Sequence, residues 1–398
     1  MKHGTHNLSL PPFSSKISCM RSIYPMGALL FILNACQGPS APSSKGESND
    51  QEEERSENWS GGTYESMLHY PEEVHLANVR QLTFGGDNAE AYFSFDGSQL
   101  VCQISNPEWG LGCDQIFAFD WDKDDLREIR PPMISTGKGR TTCSYFLPGD
   151  SLIVYSSTHL AHDSCPPVPQ PREDGAYVWP IYPEFDIFVA DLDGNIKSQL
   201  TDTPGYDAEP TVSPKGDRMV FTSTRSGDLE LYTCALDGSD LRQITSELGY
   251  DGGAFFSPDG SKIVFRSSRP QTEEEIDEYK TLLSQGLVKP TEMELYVCNA
   301  DGSDLRKITD LGQANWAPFF HPSGEKIIFS SNHASPRGFP FHLYMIGLDG
   351  SGLEQITFDR QFDAFPMFSP DGSKLVFASN RENGGTRATN LFIADWVE

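Results

Sequence analysis

The sequence predicts an all-β fold, a six-bladed β-propeller of four-stranded antiparallel blades, and three observations carry that prediction. The string "AFFSPDGSKIVFRSSR", residues 254–269, reads as two strands about a tight turn, and close copies recur along the chain to make six. Each copy is followed by an outward strand, as in "ELYTCALDG", "ELYVCNADG" and "HLYMIGLDG", and most are then followed by a short fourth strand. The last copy stops after its third strand at Glu398, and the strand it lacks stands at the other end as "VRQLT", residues 79–83. The amino-terminal strand is therefore expected to complete the last blade and close the ring, which removes two exposed sheet edges.

Before the repeats lies a segment of another kind. Residues 1–35 read as a signal peptide: "MRSIYPMGALLFILNAC" has a basic start and an apolar run too short to span a bilayer, and Met20 is an alternative start. Leu33-Asn34-Ala35-Cys36 resembles a bacterial lipobox, which implies Cys36 as a lipidated first residue. Residues 36–72 are polar, small and acidic, the composition of a disordered tether, and 73–398 form the propeller. The formal charge is −27, and it becomes −30 without residues 1–35, which hold Lys2, Lys16 and Arg21 and no acid. Such a body repels phosphate backbones, so nucleic acid is excluded as a partner, and a monomer is expected.

Within a repeat each element has a reason. In Ser257-Pro258-Asp259-Gly260, proline fixes φ at the first central turn position, aspartate suits the second, and glycine accepts the left-handed conformation that follows. "KIVF" alternates too little for a half-wet strand and suits one buried on both faces. The fourth strands are read at "LREIR", "KSQLT", "LRQIT", "LRKIT" and "LEQIT".

The strings "FSPDGSKIVF", "LYVCNADG" and "LRKIT" resemble the repeats of the periplasmic TolB-like six-bladed propellers, over about residues 75–398. The resemblance implies a cell-envelope protein that binds a partner. That family carries a further domain before the propeller, where this sequence has only the tether, which counts against a direct Tol-type trans-envelope role.

Aligning the copies places Asn88, Thr141, Asp207, Asp251, Asn315 and Asp363 around one mouth of the channel. A second ring follows 18 residues later in each blade, as Asn106, His159, Arg225, Arg269, His333 and Arg381. Wherever the first ring has aspartate the second has arginine, which predicts Asp–Arg pairs inside three blades, with a scaffold role. His159 and His333 break the pattern in opposite blades, with His162 close to His159. Imidazole with carboxylate suits zinc, manganese or iron, whereas the Asp–Asn ring without imidazole suits calcium.

Two insertions rise on this face, at about residues 159–184 and 270–291. The first is rich in proline and carries Tyr177, Trp179 and Tyr182, suited either to a partner's surface or to a lid over the protein's own blade. In the second, Thr272 and Glu275 form a capping box, and Ile276, Tyr279 and Leu283 share one side of a short helix that ends near Gly286. Disulfides are expected at Cys102–Cys113 and Cys143–Cys165, with Cys234 and Cys298 left as buried thiols.

The sequence lacks a G-x-S-x-G elbow, a Walker loop and an H-E-x-x-H motif. The leading expectation is a non-catalytic lipoprotein of the bacterial cell envelope that binds a protein or glycan on the insertion-bearing face. The rival, implied by a resemblance to oligogalacturonate lyases, is a metal-dependent enzyme acting on acidic polysaccharide. His159, His162 and His333 would hold its ion, and Arg225, Arg269 or Arg381 would neutralise the substrate. A third reading is a structural ring stiffened by calcium.

Overall fold

The structure, a computed structural model, describes residues 66–398 except 174, 336 and 337. The expected signal peptide, Cys36 and most of the tether lie outside the described residues. Six antiparallel sheets follow one another around a ring. Blade one pairs Asp87–Phe93, Gln99–Ser105 and Gln115–Asp120, and blade two runs from Thr141–Phe146 to Ile196–Gln199. Blades three, four and five begin at Asp207–Val212, Asp251–Phe256 and Asn315–Phe320. Blade six holds Asp363–Phe368, Lys374–Ser379 and Asn390–Trp396, and Leu76–Gln81 from the amino-terminal side pairs with Asn390–Trp396 as its fourth strand. The ring closes as the sequence predicts.

The turn chemistry is that expected of Ser-Pro-Asp-Gly. The Gly260 amide donates to the Ser257 carbonyl at 2.7 Å with Gly260 at φ +66°, and Asp259 accepts from the Ser261 amide at 3.0 Å. Second strands are buried on both faces, with Ile263, Val264 and Phe265 fully covered between neighbouring blades. Burial of each such side chain is worth about 1.5–3 kcal/mol.

Two readings need correction, and one is extended. "LREIR" is no strand: the Ile129 amide closes a turn on the Asp125 carbonyl, and a bridge between Phe117 and Met133 takes the fourth place in blade one. The two prolines after Arg130 lack the N–H groups a ladder needs. The tether ends earlier than residue 72, because residues from Ser66 pack on blade six, with the Tyr70 hydroxyl donating to Asp359 at 2.7 Å. The helix, Glu273–Ser284, has the predicted capping box and the expected inner stripe, with Tyr279 buried and Ile276 and Leu283 partly buried, but it buries Leu282 as well, which the stripe did not include.

The disulfide pairing is also corrected: Cys113 joins Cys165, while Cys102 and Cys143 are free and buried. Strand register explains it. Cys102 lies mid-strand opposite Phe117, four residues along from Cys113, which sits in the loop where the first insertion passes. Cys234 and Cys298 are buried thiols, as expected.

Candidate functional site

The innermost strands share a feature that repeat alignment alone did not disclose. Each carries a β-bulge just after its first-ring residue. The residue two places after that ring member has positive φ in every blade: Glu90, Cys143, Glu209, Gly253, Ala317 and Phe365. For five non-glycine residues this is an unfavourable conformation, held by the surrounding ladder. Bulge amides are bonded to the preceding blade: Cys143 N–H donates to Gln103 at 3.2 Å, Gly253 N–H to Glu209 at 2.8 Å and Phe365 N–H to Ser330 at 3.2 Å.

The three Asp–Arg pairs expected between the two rings form. Arg225 reaches both oxygens of Asp207 at 2.9 and 3.0 Å, Arg269 grips Asp251 with two nitrogens at 2.6 and 2.9 Å, and Arg381 meets Asp363 at 3.1 and 3.2 Å. These three aspartates are buried, as are Asn88, Thr141 and Asn315, whose side chains are spent on bonds within the protein. Asn106 caps the 3-10 turn Pro107–Trp109.

His159 and His333 occupy the arginine position in their blades. Each imidazole bonds the serine two residues earlier, at 2.9 Å to Ser157 and 2.8 Å to Ser331, as Arg225 bonds Ser223 at 2.8 Å. Each also lies on the ring at one place in the third strand, His159 on Phe188 and His333 on Tyr344, as Arg225 lies over Tyr232 and Arg269 over Tyr296. Burial lowers the pKa of both histidines. His162 instead faces Glu184 at 3.9 Å. Among the described residues no three His, Cys, Asp or Glu side chains come together as a metal-holding group, so the triad of His159, His162 and His333 does not assemble.

The two insertions are joined above the channel. Trp179–Pro180 pairs with Leu287–Val288, the Ile181 amide donates to the Gly286 carbonyl at 2.7 Å, and the Cys113–Cys165 bridge ties the first insertion to blade one. Trp179 packs against Trp316 of blade five, and the Tyr182 hydroxyl donates to the Pro167 carbonyl at 2.9 Å. With Tyr177, whose hydroxyl accepts from the Trp179 indole at 2.9 Å, the three aromatic residues named from sequence thus belong to a lid over the channel mouth.

Beneath that lid lies a cavity of 240 Å³ lined by the lid, the bulges and the strand entries. Its charged residues are Glu90, Asp114, Arg140, Glu209 and Arg266. Arg266 forms a buried ion pair with Glu209, donates to the Tyr250 hydroxyl at 2.7 Å, and lies between the rings of Trp179 and Tyr250. Gly253 makes this possible, because a Cβ there would stand 1.8 Å from the Arg266 guanidinium. Burial works to raise the Glu209 carboxyl; Arg266, the Thr222 hydroxyl and the Gly253 amide outweigh it and hold the group below its ordinary range. Arg140 meets Asp114 at 2.6 Å. Burial, with Glu209 and Asp114 near, pushes Glu90 up to about 7 against the opposing pull of the Cys143 thiol and Arg266.

Sequence reasoning missed this cluster, although a signal was present. In the second strands, the residues opposite Ala89, Thr142, Ala208, Gly252, Trp316 and Ala364 are Gln103, Ser156, Thr222, Arg266, Ser330 and Ala378. Arg266 is the one charged member of that column.

One family model and one superposition at a TM-score of 0.50 agree with this architecture. Residues 174–278 match the family model described as the TolB beta propeller domain. The putative TolB from Agrobacterium tumefaciens superposes with a TM-score of 0.50 at 20% identity, over 79% of this chain and 91% of that one. TolB from Acinetobacter baumannii gives 0.46 at 18% identity, over 78% and 64% of the two chains. Oligogalacturonate lyase from Vibrio parahaemolyticus gives 0.47 at 12% identity, over 80% and 93%. No curated protein matches. The chain carries a TolB-type propeller fold.

Proposed function

We propose that this protein is a non-catalytic lipoprotein of the bacterial cell envelope, anchored through Cys36, whose propeller binds a protein or glycan partner at the insertion-bearing mouth. The observation that carries the reading is the lid: two insertions from different blades zip together over a cavity and are fixed by a disulfide. Insertions that pair with each other and cover polar groups at the channel end are positioned for recognition, since a rigid element loses little freedom on binding. The rings beneath them, saturated by internal bonds, hold that mouth in shape.

The test is binding of the full chain to solubilised envelope proteins and to an array of envelope glycans. Replacing both Trp179 and Tyr182 with alanine is expected to weaken capture at least tenfold while the melting transition persists. Capture unaffected by that double substitution would remove the mouth as the binding face.

A further inference from the structure

We infer that the lidded cavity takes an organic ammonium group, with Glu90 as its counter-ion and the aromatic wall of the lid and channel around its carbon frame. The inference rests on the reading of the mouth as the binding face and names what enters it.

Charge balance is the first argument. The cavity lining holds three carboxylates, Glu90, Asp114 and Glu209, and two guanidinium groups. Both guanidinium charges are paired, Arg266 with Glu209 and Arg140 with Asp114, while the Nε of each is shielded and unpartnered among the described residues. Glu90 is left as the surplus carboxylate, with its Oε2 shielded from solvent and bonded to nothing among the described residues. A second acceptor on the same wall, Asp114 Oδ1, is likewise shielded and unpartnered. Buried carboxylate oxygens without partners favour a cation that brings its own N–H donors.

The wall supplies the second argument. Tyr177, Tyr182, Tyr206 and Trp316 line the same space, beside Trp179 and Tyr250, whose rings already carry Arg266. Electron-rich ring faces around a site of net negative charge attract a positively charged nitrogen and accept the carbons attached to it. An anion would meet the same rings with repulsion, and the two arginines, though each keeps a shielded Nε without a partner among the described residues, are already neutralised by their own carboxylates. The acidic body of the chain, at −27, steers cations in the same direction. A cavity of 240 Å³ is suited to a single side-chain-sized group, so a polymer would contribute one residue to it.

Two sources present this group: a free amine, and a lysine side chain of a partner. Titration calorimetry on the full chain would use phenethylammonium, its anionic counterpart 3-phenylpropionate, and the tripeptide acetyl-Gly-Lys-Gly-amide. Binding of phenethylammonium but not of 3-phenylpropionate, weakened at least tenfold by Glu90→Gln, supports a free amine. Binding of the lysyl tripeptide alone, with the same dependence on Glu90, supports the lysine source. A further reading needs no variant. Wild-type affinity for the bound cation should rise several-fold from pH 6 to pH 8 as Glu90, faced by Cys143, Glu209, Arg266, Asp114 and Tyr92, loses its proton. Preference for the anion, indifference to Glu90→Gln in a folded variant, or a flat pH response would overturn the assignment. If the cation fails yet partner capture still depends on Trp179 and Tyr182, the charge assignment alone is wrong; if both fail, the mouth is not the binding face.

Discussion

Arg381 donates to both oxygens of Glu73, at 3.1 and 3.0 Å, and neither side chain has any exposure. The two residues are 308 positions apart, and the same guanidinium also holds Asp363. The amino-terminal segment is therefore fastened to blade six by a buried charge pair as well as by its strand.

Replacing Arg381 with alanine leaves Glu73 and Asp363 buried without a counter-charge. The expected loss is about 3–5 kcal/mol, read as a lower denaturation midpoint at unchanged slope. Arg381→Lys, which keeps the charge but not the fork, should recover only part of it.

His159 and His333 stand at the arginine position, and among the described residues neither joins a group of three metal-ligating side chains. The protein purified without chelator is expected to contain no stoichiometric zinc, manganese or iron, and its melting curve should be unchanged by EDTA. His159→Ala and His333→Ala should each lower the melting temperature by a few degrees through lost packing and a lost hydrogen bond, on the order of 1 kcal/mol. Stoichiometric metal that disappears with His159→Ala would restore the lyase-like reading.

Glu90 gives the cavity a pH signature. Its carboxyl is raised to about 7 by burial, well above the unfolded value, so the folded state binds the proton more tightly than the unfolded state. The associated stability is fully present below the unfolded pKa and is lost as pH rises through about 7. Glu90→Gln should abolish that slope, leaving the variant close to wild type at pH 5 and more stable by roughly 2–3 kcal/mol at pH 8. Melting temperatures across pH 5–8 for the two proteins check it; parallel curves would sink the argument.

Peptide mapping without reduction should recover the Cys113–Cys165 bridge, and Cys102, Cys143, Cys234 and Cys298 should take up alkylating reagent only after unfolding. Cys165→Ser opens a loop with a sequence separation of 52, worth up to about 4 kcal/mol in chain entropy. Proteolysis is expected to begin in the first insertion once the bridge is gone.

The blades were readable because repetition multiplies weak signals: one Ser-Pro-Asp-Gly turn is ambiguous, whereas several in register with apolar runs leave little choice. Pairing of Asp207 with Arg225 was readable for the same reason, since charge covaried between columns of a single chain. What escaped was set by three-dimensional register. The place of Cys102 in its ladder, opposite Phe117, rules out its bridge to Cys113, and that register is set by the length of the loop between Gln99–Ser105 and Gln115–Asp120. The bulges themselves leave no compositional trace, because Glu90, Ala317 and Phe365 are ordinary residues in an unusual conformation. Arg266 was visible as an oddity in its column, but its meaning depended on the neighbouring blade supplying Glu209.

Closure by Leu76–Gln81 against Asn390–Trp396 also sets the order of events during synthesis. The first strand of the ring leaves the ribosome early and must wait, with its hydrogen-bonding edge open, until the last strand has been made. Blades one to five are contiguous in sequence and are complete before that moment, so the growing chain passes through an open arc of sheets whose two ends are sticky. A chain stalled or cut before Asn390 is therefore expected to be recruited by holding chaperones, and the strand Asn390–Trp396 acts as the latch that ends that dependence.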